Sequence, residues 1–143
     1  MTGVYLLVGV LLLSTAFGLM SVRRQGRVRD VARPASAAAD SLRAELALLG
    51  YEPGERATLL QFSSAFCSPC RATRRVLGEV VELVDGVTHV EVDAEQHLDL
   101  VRRLGVLKTP TTLVLDAEAC EVKRASGQPR KADVLAALGK ALP

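Results

Sequence analysis

The hydropathy pattern of the chain changes character near residue 40. From Val4 to Met20 almost every position is apolar, and no side chain from Met1 to Val22 is charged. As a helix from about Gly3 to Val22 this stretch reaches roughly 30 Å, the thickness of a bilayer core. It predicts a transmembrane anchor over residues 1–22. A cleaved signal peptide carries positive charge ahead of its apolar run and a small-x-small site just behind it. Here the charge follows the run, and Ala35-Ser36-Ala37 lies behind Arg23, Arg24, Arg27, Arg29 and Arg33. Residues 23–39 therefore read as a basic juxtamembrane linker that ends in small residues.

From residue 40 to 143 the periodicity alternates between helical and extended, as in one α/β domain. Asp40 or Ser41 can cap a helix with Leu42, Leu46 and Leu49 on one face and Gly50 as its stop. Thr58–Phe62 is an apolar run of strand length. Arg71–Val84 repeats apolar residues at helical spacing, with Val76, Val80, Leu83 and Val84 on one face. Asp85-Gly86 turns the chain into an alternating strand, Val87–Val92. Leu98, Val101 and Leu104 mark a short helix that Gly105 ends. Thr111–Leu115 and Val122–Ala125 are strands joined by a turn over Asp116–Cys120. Pro129 can open a last helix through Val134, Leu135 and Leu138. The order αβαβαββα predicts a mixed four-stranded sheet with helices on both faces.

Composition narrows the function. The net charge is +2, but five arginines and Asp30 lie between residues 23 and 39. The remainder from residue 40 holds 13 basic and 15 acidic residues, a net of −2. That excludes a nucleic-acid footprint on the folded part. The arginines also set topology, since basic flanks stay in the cytoplasm. The domain is expected on the cytoplasmic side of a single-pass cell-membrane protein. An extracytoplasmic domain is the alternative. Three cysteines are too few for a disulfide-stapled scaffold.

Two of those cysteines carry the chemistry. Cys67-Ser68-Pro69-Cys70 sits where a strand hands over to a helix. The first N–H groups of a helix are unpaired and its dipole is positive there. That field stabilises a thiolate, the reactive form of the thiol. The pair reads as a redox dithiol. The other readings are a static disulfide and a zinc site. Zinc needs four ligands, and the only further candidates are Cys120, His89 and His97, so no metal is expected. Cys120 reads as an exposed turn thiol without a role, and His97 as a surface residue at a helix start. Of the arginines after the pair, Arg71 can add positive potential, while Arg74 and Arg75 read as covering the solvent face.

With these features in order, the chain resembles the thioredoxin family over about 100 residues, from Asp40 to Leu142. The resemblance rests on the strand–CxxC–helix junction Phe62 to Arg71, on Val92-Asp93 ending the second strand, on Gly105 to Thr111, and on Gly127. It implies a thioredoxin-like fold and a protein-disulfide oxidoreductase without a cofactor. By the resemblance Cys67 is the attacking thiol, Cys70 the resolving thiol and Pro110 a cis-proline. Phe66, Thr109, Pro110 and Gly127 are the implied substrate-binding residues. The implied partners are protein disulfides or dithiols and an external electron donor or acceptor, with the membrane held through residues 3–22. The chain departs from the family in three places: Gln61 where a buried acid serves as proton acceptor, Phe66 where Trp is usual, and Arg75 where a proline often kinks the helix. Gln61 cannot take a proton, so water or another group, His89 among the candidates, must. Ser68-Pro69 lacks the histidine of strongly oxidising relatives, which favours a reductase. Two alternatives stay open: an extracytoplasmic reductant of the cytochrome-maturation type, and a non-catalytic peptide-binding module.

Overall fold

The computed structural model describes residues 2–24, 28–30 and 36–142, with side chains described for 5–20 and 39–142. Ten elements follow in order: α1 (Thr2–Arg24), β1 (Val28–Asp30), α2 (Ser36–Leu48), β2 (Ala57–Ser63), α3 (Ser68–Val81), β3 (Val87–Asp93), α4 (Leu98–Arg103), β4 (Thr111–Asp116), β5 (Glu121–Ser126) and α5 (Lys131–Ala141).

The strands order as β1-β5-β4-β2-β3. β2 pairs β3 in parallel and β4 antiparallel, and β4 pairs β5 antiparallel. These four are the expected mixed sheet. A three-residue β1 adds a fifth strand, pairing Val28 to Ala125 and Asp30 to Lys123. It comes from the stretch read as linker, where no hydropathy alternation marks a strand this short.

Side chains alternate across the sheet, as the period of two requires. Leu60 and Phe62 of β2, with Val90 and Val92 of β3, pack under Leu42 and Leu46 of α2 and Leu100 of α4. Ala57 and Leu59, with Val87 and Val114, pack on the other face against Leu77 and Val80 of α3 and Val134 and Leu138 of α5. β2 is buried on both faces along its whole length. That is why it reads as a continuous apolar run rather than an alternating one.

Three helices differ from expectation. α2 begins at Ser36 rather than at residue 40, because Ala37–Ala39 are strong helix formers. It ends at Leu48, so Leu49 lies past it at the surface. α3 begins at Ser68 and ends at Val81. Its buried stripe is Cys70, Thr73, Leu77 and Val80, at i, i+3, i+7 and i+10. Leu83, expected on that stripe, lies beyond the helix and is exposed. α5 starts at Lys131 behind Arg130, two residues after Pro129.

α1 is helical over the expected anchor, with Tyr5, Leu7, Leu13 and Phe17 exposed. Among the described residues no helix is long and apolar enough to cross a membrane. The predicted span is not matched among the described residues. The side chains of Arg23, Arg24, Arg27, Arg29 and Arg33 lie outside the described residues.

Candidate functional site

β2 delivers the chain to the site through Ser63, and a short turn brings Cys67 to the position just before α3. Cys67 is the N-cap, with φ −91° and ψ 97°, and Pro69 falls in the first turn, where a missing N–H is no loss. The two cysteines are joined in a disulfide, their Cα atoms 5.2 Å apart. The Cys70 N–H donates to Cys67 Sγ at 3.1 Å. Cys67 is therefore held by the helix end that would stabilise its thiolate. The two sulfurs differ in access: Cys67 is half-buried, whereas Cys70 is 2% exposed.

The proline loop closes on this turn. The Thr109–Pro110 peptide is cis. The Ser64 and Thr109 hydroxyls lie 3.1 Å apart in a hydrogen bond, joining the β2–α3 turn to the loop. Gly127, at φ +101°, donates its N–H to the Pro110 carbonyl at 2.7 Å. Cys67, Cys70, Thr109, Pro110 and Gly127 are thus brought to one end of the sheet. Gly127 braces the loop from behind, in a conformation that glycine adopts without strain. Phe66 projects into solvent at 98% exposure, and Leu107, which sequence reading passed over, does so at 96%.

Below the disulfide lies a polar network. Gln61 is fully buried, and its Nε2 donates to the Cys70 carbonyl at 3.1 Å and to Glu91 Oε1 at 3.4 Å. His89 Nε2 is 3.1 Å from Gln61 Oε1, an oxygen that accepts a hydrogen bond when that ring nitrogen carries the proton. Arg74 Nε and Nη2 grip Glu91 in a fork at 2.5 and 2.8 Å. Arg74 thus does more than cover the solvent face of α3, contrary to expectation. Burial pulls the His89 imidazole below its ordinary acidity range; Glu91 opposes this and Arg74 adds to it. Burial pushes Glu91 up, but hydrogen bonds from Arg74 and Ser63 and the charges of Arg74 and His89 outweigh it. Glu91 ends below the usual carboxylate range.

An open cleft of about 510 Å³ runs beside the disulfide, and Cys67, Cys70, Arg71, Arg74, Glu91 and Asp93 line it. His97 stands at the N-cap position of α4, without a side-chain capping bond, and lines the same cleft. Glu91 escaped sequence reading because its position in an alternating strand looks like an ordinary solvent-facing one. Its register partner is Gln61, and an acid paired with a buried amide was the available signal. Cys120 lies outside the disulfide and is buried, not exposed in the turn as expected. The turn folds it inward, its N–H donating to Asp116 Oδ1 at 2.8 Å. Among the described residues no three His, Cys, Asp or Glu side chains group to hold a metal ion.

Comparison with known proteins agrees with this geometry. The thioredoxin family model matches residues 51–140. The thioredoxin of Bacillus subtilis (strain 168) is 33% identical over 72 residues, 49% of this chain and 69% of that protein. The NADPH-dependent thioredoxin reductase 3 of Arabidopsis thaliana is 31% identical over 61 residues, 42% of this chain; the chain spans only 12% of that protein's length. Among solved structures, a point mutant of thioredoxin from Halobacterium salinarum NRC-1 superposes with a TM-score of 0.57 at 17% identity, covering 62% of this chain and 77% of that one.

Proposed function

Since the chain belongs to the thioredoxin family, we propose that it is a thiol–disulfide oxidoreductase that reduces disulfides in partner proteins. One observation carries the reading: a Cys67–Cys70 disulfide at the mouth of a helix, with one sulfur reachable and the other behind it. In the reduced enzyme the Cys67 thiolate attacks a substrate disulfide and forms a mixed disulfide. Cys70 then attacks Cys67, and the substrate leaves as a dithiol. An external donor returns the two electrons. Exposed Phe66, next to Cys67, and Leu107, in the loop that carries Thr109 and Pro110, offer apolar contact to the partner.

The test is reduction of a protein disulfide by the full chain with a small dithiol as donor. Cys67→Ser abolishes turnover, and Cys70→Ser stalls at a mixed disulfide. A rate no greater than that of the donor alone would sink the reading and leave the peptide-binding module. Direction follows from the reduction potential. A value near roughly −270 mV supports the reductase, and one near roughly −120 mV reverses it.

The proposal also attaches the protein to the cell membrane through residues 3–22 with the domain in the cytoplasm. Its support is the uncharged apolar run and the arginines behind it. Release by alkaline carbonate would refute attachment. A C-terminal reporter active only outside the cell would move the domain to the other side, where an extracytoplasmic reductant belongs.

A further inference from the structure

The second half of the exchange has an unmet requirement. Cys70 must lose its proton to become a nucleophile, yet at 2% exposure it has little direct contact with the bulk water that could take it. The side chain bonded to its backbone, Gln61, is an amide with no site to take up a proton near neutral pH. Two carboxylates line the cleft with Cys70, Glu91 and Asp93. Asp93 is bonded to the loop that follows β3, accepting from the Glu95 N–H at 2.8 Å and from the Gln96 amide at 3.0 Å. Glu91 is the one joined to Cys70 through Gln61, and Arg74, one turn along α3 from Cys70, fixes it from the other side. His89 bonds to Gln61 through Nε2 but does not line the cleft.

We propose that Glu91 accepts the proton of the Cys70 thiol, relayed by water in the cleft, in the step that releases reduced substrate, and that Arg74 is its positioning residue. The proposal rests on the oxidoreductase reading above. In the mixed disulfide, Cys67 Sγ is bonded to the substrate sulfur. The proton moves from Cys70 through water to the Glu91 carboxylate. The Cys70 thiolate attacks Cys67 Sγ, the Cys67–substrate bond breaks, and its electron pair leaves on the substrate sulfur. That sulfur takes a proton from the solvent, and Glu91 returns its own to the cleft water. The cysteines lose two electrons and the substrate gains them. Glu91 is faced by Arg74 and Arg71 from α3, Ser63 and Gln61 from β2, His89 and Asp93 from β3, and Tyr51 and His97 across the cleft. Ion pairing with Arg74 keeps it ionised at neutral pH and fixed beside the cleft, while lowering its basicity.

The experiment uses the reduced full chain and an aromatic disulfide whose thiol product is coloured, followed by stopped flow. The first release of colour reports attack by Cys67, and the second reports resolution by Cys70. In Glu91→Gln the second phase is expected to slow about a hundredfold, the low end for a positioned proton-transfer group. The first phase should stay within about twofold of wild type. The second phase should become proportional to hydroxide across the neutral range, where wild type is shallower. In Glu91→Ala, added formate should restore the second phase in proportion to its concentration. A Glu91→Gln second phase at the wild-type rate would overturn the proposal. Equal slowing of both phases would too, because the carboxylate would then act through the general field at the helix end. Formate independence in a folded Glu91→Ala, checked by circular dichroism, would have the same force. A wild type that never shows a second phase would fail the oxidoreductase reading itself.

Discussion

Opening the Cys67–Cys70 disulfide should destabilise the domain, and by an amount that the geometry sets. The bond closes a loop of only four residues, a sequence separation of 3. In the chain-entropy account such a loop removes about 6 cal/mol/K from the unfolded ensemble, or about 1.9 kcal/mol at 25 °C. One term opposes this. In the reduced protein the Cys67 thiolate at the start of α3 gains from the helix dipole, up to about 1 kcal/mol. The oxidised protein should then be the more stable form by about 1–2 kcal/mol. For a domain of this size that is roughly 5–15 °C in Tm. By linkage the difference corresponds to roughly 20–40 mV of reduction potential. Urea unfolding of the full chain with and without excess dithiothreitol, followed by circular dichroism, measures it. A reduced form equal to or more stable than the oxidised one would refute the reasoning. The thiolate would then be held by far more than a helix terminus, and a protein whose reduced state is favoured is an oxidant of its partners.

Other perturbations separate the parts of the structure. Leu77→Ala empties a fully buried site between α3 and the sheet and should cost about 3 kcal/mol by urea denaturation; a loss under about 1 kcal/mol would contradict the packing. Leu83→Ala, at 63% exposure, should fall within about 0.5 kcal/mol of wild type. Gly54→Ala should destabilise by about 1–3 kcal/mol, since its methyl would overlap the Ala57 carbonyl and crowd the Thr88 and Gly86 backbone; an unchanged melting temperature would refute that clash. Stability should fall on acidification in two stages. The lowered His89 value removes stability as pH drops below about 6.5, the ordinary histidine value, and the lowered Glu91 value removes more below about 4.3. Both groups bind protons more readily in the unfolded chain, so the slope is positive. Glu91→Gln should flatten the more acidic stage and steepen the histidine stage, because it also removes the charge that supports His89⁺, read from urea midpoints against pH.

The four long strands and the dithiol are legible because each rests on a local rule. β2 and β4 are apolar runs of strand length, and a cysteine pair at a strand–helix junction sits in a positive field wherever it occurs. The boundaries of α3 are harder to place. Cys70 and Thr73 belong to its buried stripe, but neither looks apolar enough to start a count, so the periodicity becomes visible only at Val76. β1 could not be foreseen. Three residues carry no period, and their pairing with β5 is a long-range choice. The polar network has the same origin. Gln61 among leucines is conspicuous, but Glu91 and Arg74 join it only because parallel register sets Gln61 beside Glu91 and one helical turn carries Arg74 past Cys70. The inward fold of Cys120 likewise depends on Asp116 capping its own turn.

The sheet divides the molecule into two interiors, and on the function proposed above the division separates chemistry from choice of partner. The dithiol helix α3 is anchored in the core it shares with α5. The segment that leads to Leu107 and Pro110 springs from α4 and Val106, which belong to the opposite core with α2. The two meet at the site through β2 and β4 and through the Ser64–Thr109 hydrogen bond. Drift in the α2–α4 interior can therefore reshape the loop from Gly105 to Pro110 while leaving the thiol pair in its setting. A lineage, or an engineer grafting new loops between Gly105 and Thr109, could retarget such a protein without retuning its sulfur chemistry.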